Sequence, residues 1–339
     1  MYRMPWLVAA ACLLAAFAAE AEPPGVWMCH TALDELAADE AQWEYVRERL
    51  DGVQFYLDPL SDYSEETLEA LAAMTREANL AVTVEAGGAL DYGPLDDTSG
   101  AASAERELEK MQRFLEAGGS IGYITLRDPI QQLLEPSGHR EGFERVEDCI
   151  DHVLQYLQRI REDLPDTEFF LLTNFPNWGW RGEVSYHARG ERRMEHGDYY
   201  PVLERVLARA EVEGAPFKGV TVDNPYEYAT GERPSINLED PAEVDWMDRI
   251  RDLQRHVMDL GYEFNMIINS ETGGGESGEA FHERTLQYLE LFHEGEPRPT
   301  RYIIQSWYVH PRPVLPETEP GAMSAVVRDA LEFLDGNER

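Results

Sequence analysis

The sequence predicts an α/β protein in which eight parallel strands close into a single-domain (β/α)8 barrel. Eight short apolar runs recur along the chain, and seven segments with helical periodicity separate them. Strands that alternate with helices form a parallel sheet, and eight strands are the number that closes such a barrel. Each run ends in a polar or aromatic cluster, so these clusters are expected at the mouth where barrel active sites lie. The runs are 26–29, 53–57, 80–84, 121–126, 169–173, 217–222, 264–268 and 302–304.

Capping residues and helical periodicity justify the segments between the runs. Ser64 before Glu65 and Glu66 is typical of a helix start with acidic side chains in its first turn. Gly214 and Gly261 follow amphipathic segments, as glycine does at many helix C-termini. The predicted helices span 32–50, 103–117, 143–164, 199–213, 279–293 and 321–334, and two more begin at Ser64 and Asp240.

The first residues are typical of a secretion signal. A short start containing Arg3 precedes the apolar stretch 7–19, and Ala19-Glu20-Ala21 is a small-x-small cleavage site. The stretch is too short to span a bilayer comfortably, and no stop-transfer segment follows it. We therefore expect cleavage of residues 1–21 and a secreted or periplasmic barrel domain over 22–339. An uncleaved N-terminal membrane anchor is the alternative.

The charge balance excludes several classes of partner. Net charge is −36, from 65 acidic and 29 basic side chains, and the only lysines are Lys110 and Lys218. Nucleic acids and anionic membranes both require a basic surface, so neither is an expected partner. Polyanionic substrates are disfavoured as well, unless a local basic patch compensates. Such an acidic surface is typical of proteins kept soluble in strong salt, and we expect a halophilic source.

Cysteine usage gives no sign of a metal or cofactor. After signal cleavage only Cys29, on the first strand, and Cys149, on a helix, remain. Because they fall in separate layers of the barrel, buried free thiols are expected rather than a disulfide, although export would permit one. The chain has no CxxC, HExxH or His-x-His motif, so neither a dedicated metal site nor a cofactor is expected.

Strand parity selects the side chains at the mouth. Outer strand faces pack against helices and require large aliphatic residues, while alternate residues point into the barrel. Val220 and Val222 suit the outer face, so Asp223 points inward; His30 has outer parity and is expected to be structural. The same rule turns inward Gln54, Tyr56, Asp58, Thr83, Glu85, Tyr123, Thr125, Arg127, Asn269 and Glu271.

Aromatic and amide side chains on the predicted mouth loops favour a carbohydrate ligand. Trp178 and Trp180 lie in the long loop after the fifth run, and Trp307 follows the eighth. Flat aromatic faces stack on sugar C–H surfaces, while hydroxyls pair with carboxylates, amides and arginine. The expected substrate-binding residues are Asp58, Glu85, Arg127, Asn174, Trp178, Trp180, Asn224, Asn269, Trp307 and Tyr308.

Three carboxylates are candidates for catalysis. Glu271 follows the seventh strand, and the alternative role for it is an ion pair with Arg127. Asp223 ends the sixth strand, although Asp-Asn-Pro can also simply begin a turn. Asp128 has the other parity, but Pro129 favours an extended or turn conformation there that can swing the carboxylate into the cleft. Asp58 and Glu85 are further candidates for direct catalysis, and the alternative for each is to orient substrate or to hold Arg127.

These features resemble the large TIM-barrel glycoside hydrolases, whose catalytic carboxylates lie at the ends of strands four and seven. Glu271 is similar to the strand-seven nucleophile, and Trp307 is similar to a tryptophan near the end of strand eight. On strand four, Arg127-Asp128 stands where that group usually has Asn-Glu. The resemblance therefore implies Glu271 as the ionised group, with either Asp128 or Asp223 as the acid.

Glycoside hydrolysis requires one protonated and one ionised carboxyl group flanking the scissile bond. Two other functions are compatible with the same mouth. Asp58, Glu85, Asp223 and Glu271 can supply oxygen ligands to Mg²⁺ or Ca²⁺ in a metal-dependent hydrolase or lyase. A non-catalytic glycan-binding barrel would keep the aromatic walls without a working acid pair.

Overall fold

Eight parallel strands close into a barrel in their order along the chain, as the sequence predicts. The computed structural model describes residues 23–87, 99–134, 143, 145–182, 188–189, 192–193, 198–232 and 244–337. The predicted signal peptide, residues 1–21, and the predicted helix start at Asp240 lie outside these residues. The strands are β1 Gly25–His30, β2 Gly52–Tyr56, β3 Ala81–Ala86, β4 Tyr123–Arg127, β5 Glu168–Asn174, β6 Phe217–Asp223, β7 Glu263–Ile268 and β8 Arg301–Ser306.

Helices cover the outside of the barrel and shape its mouth. The longer ones are α4 Glu65–Glu77, α5 Gly100–Glu116, α7 Val146–Asp163, α8 Tyr199–Val212, α10 Trp246–Asp259, α12 Gly278–His293 and α13 Met323–Asn337. Short ones are α1 Asp34–Ala38, α2 Glu44–Arg47, α3 Leu57–Asp62, α6 Pro129–Leu134, α9 Tyr226–Ala229 and α11 Glu271–Glu276. None of these described helices is long and apolar enough to cross a membrane.

The predicted helix over 32–50 is wrong as a single element. The chain forms α1, a 3-10 turn over Glu40–Trp43 and then α2. The break buries Trp43 completely, and its indole Nε1 donates to the Leu36 carbonyl oxygen at 3.0 Å. The carboxylate of Glu317 accepts the backbone N–H of Val46 at 2.9 Å, which satisfies a donor at the start of α2. Tertiary burial therefore overrides the helical periodicity here.

Strand parity is confirmed within the strands. Val220 and Val222 pack in the layer between strands and helices, whereas Phe170 and Ile267 belong to a separate cluster inside the barrel. Burying each of these side chains stabilises the fold by roughly 1.5–3 kcal/mol. At the amino end, the Arg301 guanidinium lies over the rings of Trp27, Tyr123 and Phe170, at 5.0, 5.5 and 5.2 Å from their centroids.

Several local predictions are also confirmed. Ser64 caps α4, because its hydroxyl oxygen accepts the Thr67 backbone N–H at 3.1 Å. Gly261 follows α10 with φ +87°, a left-handed conformation that favours glycine. Cys29 and Cys149 are buried free thiols. His30 is buried and its Nε2 lies 2.9 Å from the Pro311 carbonyl oxygen, which is a structural arrangement.

Candidate active site

A cavity of about 790 Å³ lies at the carboxyl end of the barrel. Its lining is dominated by charged and amide side chains from the strand ends and the segments that follow them. Of the predicted site residues, it includes Asp58, Glu85, Arg127, Asp128, Asn174, Asp223 and Trp307. Because polar groups line most of this surface, the cavity suits a ligand rich in hydroxyl groups.

Glu85 is a buried carboxyl group that lines this cavity. It lies on β3 with 7% of its surface exposed, and its Oε2 accepts hydrogen bonds from Gln54 Nε2 at 2.9 Å and Gln305 Nε2 at 3.0 Å. Burial raises the pKa of Glu85 to about 7, since a charged carboxylate loses hydration there. The Arg127 charge lowers this pKa and the Asp223 charge raises it. Glu85 can therefore hold a proton near neutral pH.

Asp223 ends β6, and β4 and β5 lie between this strand and β3 in the barrel. Asn269 Nδ2 donates to its Oδ1 at 3.3 Å. Burial raises the pKa of Asp223 to about 6, against the lowering effect of the Asn269 hydrogen bond, and the charge of Glu271 raises it further. The charge of Asp223 in turn raises the pKa of Glu85, so ionisation of one cavity-lining carboxyl affects the other.

Glu271 lies beside this pair, outside the set of side chains that line the cavity. Strand β7 ends at Ile268, and the chain turns so that Ser270 caps α11 and Glu271 is its first residue. The inward direction predicted for Glu271 by extending the alternation of β7 therefore does not apply, because Glu271 is no longer in the strand. Tyr228 donates its hydroxyl to the Glu271 Oε2 at 3.1 Å, and the backbone N–H of Glu271 donates to Glu227 at 3.1 Å.

Asp128 lines the cavity from a turn, one of the two conformations expected before Pro129. Its φ of +43° is left-handed rather than extended, and α6 begins at the next residue, Pro129. The Asp128 backbone N–H donates to the Leu172 carbonyl oxygen at 3.0 Å, which fixes the turn to β5. Its side chain is 5% exposed, and burial together with the Asp128 charge raises the pKa of the Tyr199 hydroxyl.

Two of the three tryptophans that were predicted to stack on a sugar are buried, so that prediction is wrong for them. Trp178 is 0% exposed and packs on Tyr199 with centroids 5.1 Å apart. Trp180 is 4% exposed, and its Nε1 donates to Asp252 Oδ2 at 2.8 Å. Both rings fold back into the core, so neither presents a face to a ligand. Trp307, in contrast, is 58% exposed at the cavity and lies against Tyr308 with centroids 4.7 Å apart.

The other predicted binding residues fall into two groups. Asp58 and Arg127 are exposed at the rim, and half-buried Asn174 lines the wall. Asn224, Asn269 and Tyr308 lie behind the wall instead of lining it: Asn224 and Asn269 are 0% exposed, and Tyr308 is half-buried.

Some cavity residues were not selected as site residues from the sequence. Gln305 has inward parity on β8, so the strand rule could have identified it as a partner of Glu85. Lys110 and Glu107 reach the cavity from α5, where no strand pattern identifies them. Glu107 is 1% exposed and accepts the Gly87 backbone N–H at 2.9 Å, which anchors the end of β3.

No group of three or more His, Cys, Asp or Glu side chains within the described ranges is arranged to hold a metal ion. The arrangement that the mouth does contain is a pair of buried carboxyls of raised pKa, amide donors and one exposed indole. Such a set can transfer a proton at one carboxyl and stabilise or attack a developing positive centre with the other.

Comparisons with known proteins show which fold this chain shares with solved structures. No protein-family profile matches the chain, and no curated protein matches it in sequence. The structure of GH5_18 from Streptomyces cattleya in complex with GlcNAc is similar, with a TM-score of 0.54 and 14% identity over 93% of this chain and 81% of that chain. A point variant of that protein in complex with Manβ1-4GlcNAc gives a TM-score of 0.53 and 14% identity over 92% and 80%. At these identities the similarity shows the TIM-barrel fold.

Proposed function

We propose that this protein is a glycoside hydrolase that cleaves an oligo- or polysaccharide with two carboxyl groups, Glu85 and Asp223. One observation carries the proposal: both carboxyls line the same cavity at the barrel mouth, with pKa values raised to about 7 and about 6. Glycosidases require one carboxyl that holds a proton beside one that is ionised, and raised pKa values make both states accessible near neutral pH. The predicted signal peptide implies that the enzyme acts outside the cytoplasm.

The higher pKa assigns the acid role to Glu85. Near neutral pH a fraction of Glu85 is protonated, so it can give its proton to the glycosidic oxygen as the bond to the anomeric carbon breaks. Asp223 is mostly ionised above about pH 6, so it can attack the anomeric carbon or activate water. The donors from Gln54 and Gln305 hold the Glu85 carboxyl in place for this transfer.

Glu271 then has a supporting role beside Asp223. Its charge raises the pKa of Asp223, and its own carboxylate is occupied by the Tyr228 hydroxyl. This assignment differs from the resemblance, which implies Glu271 as the ionised group. Asp128 has a structural role instead: it is buried, its charge acts on the Tyr199 hydroxyl, and its backbone N–H holds the turn between β4 and α6.

The cavity walls fit a sugar substrate. Trp307 offers an exposed aromatic face on which a sugar ring can stack. Asn174 lines the same cavity and can pair its amide group with sugar hydroxyls. The structures of similar fold contain GlcNAc and Manβ1-4GlcNAc, which is compatible with a carbohydrate ligand for this chain as well.

The test is release of new reducing ends from a panel of neutral and acidic polysaccharides by the barrel, residues 22–339, in concentrated salt. Glu85→Gln and Asp223→Asn are each expected to lower turnover by about 10²–10⁴-fold. Glu271→Gln is expected to lose less. The control is Glu168→Gln at the amino end of β5, next to Lys218.

Three results would contradict parts of this proposal. Turnover that survives both Glu85→Gln and Asp223→Asn would remove the carboxyl assignment. Turnover that disappears with a chelator and returns with Mg²⁺ or Ca²⁺ would favour a metal-dependent enzyme instead. Saturable glycan binding by the wild type, with no products from any polysaccharide, would favour a glycan-binding barrel.

A further inference from the structure

We propose that the sugar bound in this cavity carries an anionic group, a carboxylate or a sulfate, and that Arg127 binds it. This inference rests on the proposed glycosidase function and names the class of its substrate. The acidic composition makes the idea unexpected, since a net charge of −36 repels anions in general. Arg127 and Lys110 are the two basic side chains among the described residues that line the cavity, and they oppose this repulsion locally.

Arg127 is the last residue of β4 and is exposed at the cavity. It makes no hydrogen bond or ion pair through its side chain with any residue that the structure describes. Several other arginines on this acidic surface are paired: Arg209 contacts Asp151 at 2.7 Å and Glu213 at 2.6 Å, and Arg205 contacts Glu147 at 2.8 Å. A guanidinium left with its donors facing a cavity is suited to bidentate binding of a carboxylate or sulfate.

Lys110 adds a second positive charge to the same cavity. Its ammonium lies 2.9 Å from Asp58, whose side chain is 79% exposed. The ammonium is shared with Asp58, so its contribution to anion binding should be smaller than that of Arg127. The other lysine of the chain, Lys218, lies at the amino end of the barrel beside Glu168 and Glu263. The two lysines therefore provide a test residue and a matched control.

The strand register places Arg127 closer to the barrel mouth than Glu85, the proposed acid. Glu85 on β3 pairs with Thr125 on β4, and Arg127 is the next residue of the same parity toward the mouth. The Arg127 charge reaches Glu85, because it lowers the pKa of that carboxyl. An anionic sugar held by Arg127 would thus have its glycosidic linkage near Glu85 and Asp223. Binding energy from the anion would then help to position the scissile bond.

The experiment compares four oligosaccharides of equal length: a uronate, its methyl ester, a neutral sugar and a sulfated neutral sugar. Calorimetric binding constants are measured with Asp223→Asn to prevent turnover, and KM and kcat with the enzyme carrying Asp223. Moderate salt is needed, because strong salt screens the interaction. In each background the substitutions are Arg127→Gln and Lys110→Gln, with Lys218→Gln and Arg205→Gln as controls.

We expect the anionic ligands to bind more tightly than their neutral counterparts. Arg127→Gln should weaken them roughly ten- to hundred-fold while leaving the neutral ligands unchanged. Lys110→Gln should cause a smaller loss, and the two controls none. Preference between the uronate and the sulfated sugar identifies which anion the site takes.

Equal binding of anionic and neutral sugars by the parent protein would overturn the anion site. So would an Arg127→Gln variant that weakens both classes by the same factor, since Arg127 would then act only through Glu85. Hydrolysis of neutral glycans without preference overturns the anion site and leaves the glycosidase standing. Tight, Arg127-dependent binding of anions without turnover of any sugar supports the site and overturns the glycosidase.

Discussion

At the scale of single residues, the central feature is a carboxyl group that folding buries without a direct cationic partner. Glu85 receives two amide donors and the distant influence of Arg127, and burial still raises its pKa. Strand parity predicts that Glu85 and Asp223 point inward. It does not reveal their pKa values, because those depend on how deeply each carboxyl lies and on charges from other strands.

The Glu85→Gln variant should therefore be more stable than the wild type at alkaline pH. Because burial raises the pKa of Glu85 from 4.5 to about 7, the folded state binds this proton more tightly than the unfolded chain. The associated stability is present below the unfolded pKa and is lost as the pH rises through about 7. At about pH 8 the variant should gain roughly 1–3 kcal/mol of unfolding free energy, shrinking towards zero near about pH 4.

Urea denaturation at several pH values would measure this difference. The exposed Glu69→Gln on α4 is the control for removing a negative charge from this acidic surface. A stability difference between Glu85→Gln and wild type that stays constant across the pH range would show that Glu85 is not held in a desolvated environment.

At the scale of secondary-structure elements, strand parity predicts side-chain direction within a strand and becomes unreliable in the turn that follows. Asp223 is the last residue of β6, and its inward direction follows from Val222. Glu271 lies three residues beyond β7, where α11 sets a new direction. Asp128 follows β4 with a positive φ, and its place at the cavity depends on this turn and not on strand parity. Site residues at strand ends are thus predictable, whereas residues in the following turns depend on packing.

The loop after β5 shows a second limit of sequence reasoning. An aromatic residue in a predicted mouth loop can face either a ligand or the core, and the sequence pattern is the same for both. Trp178 and Trp180 fold back because Tyr199 and Asp252 offer a ring and an acceptor from α8 and α10. Those partners are distant in sequence, so only the tertiary structure separates these tryptophans from Trp307.

Matched alanine substitutions should separate the two kinds of tryptophan. Trp178→Ala removes a fully buried ring and should lower the unfolding free energy by about 3–5 kcal/mol. Trp307→Ala should change stability by less than about 0.5 kcal/mol, because its ring is exposed. It should raise KM several-fold through loss of about 0.5–1.5 kcal/mol of stacking. Chemical denaturation and substrate kinetics measure these effects. A stable Trp178→Ala protein with weakened substrate binding would contradict the conclusion that Trp178 belongs to the core and not to the binding site.

At the scale of the whole molecule, the alternation of eight apolar runs with helical segments is enough to predict a closed barrel. The pattern is robust because each strand contributes one outer row of large aliphatic residues, regardless of the loops. The barrel fold alone does not identify the function, since barrels of this type catalyse many reactions. The function has to be argued from the side chains in the cavity at the mouth.

The acidic surface makes a second prediction for the whole molecule. A net charge of −36 creates self-repulsion that salt screens over a Debye length of about 8–10 Å at about 0.1–0.15 M. We expect Tm to rise as NaCl increases from about 0.1 M to about 1 M, where the Debye length falls to about 3 Å. Calorimetry in NaCl and in sucrose of equal osmolality would isolate the screening effect. A Tm that falls steadily with added salt would contradict a halophilic adaptation.

The most direct test of the proposed chemistry is the pH dependence of kcat/KM for wild type, Glu85→Gln and Asp223→Asn on one substrate. The wild type should give a bell-shaped profile, because Asp223 must be ionised above about 6 and Glu85 protonated below about 7. Glu85→Gln should lose the alkaline limb and Asp223→Asn the acidic limb, each with residual activity only. A wild-type profile that is flat between about pH 5 and about pH 8, or whose limbs persist in both variants, would contradict catalysis by this carboxyl pair.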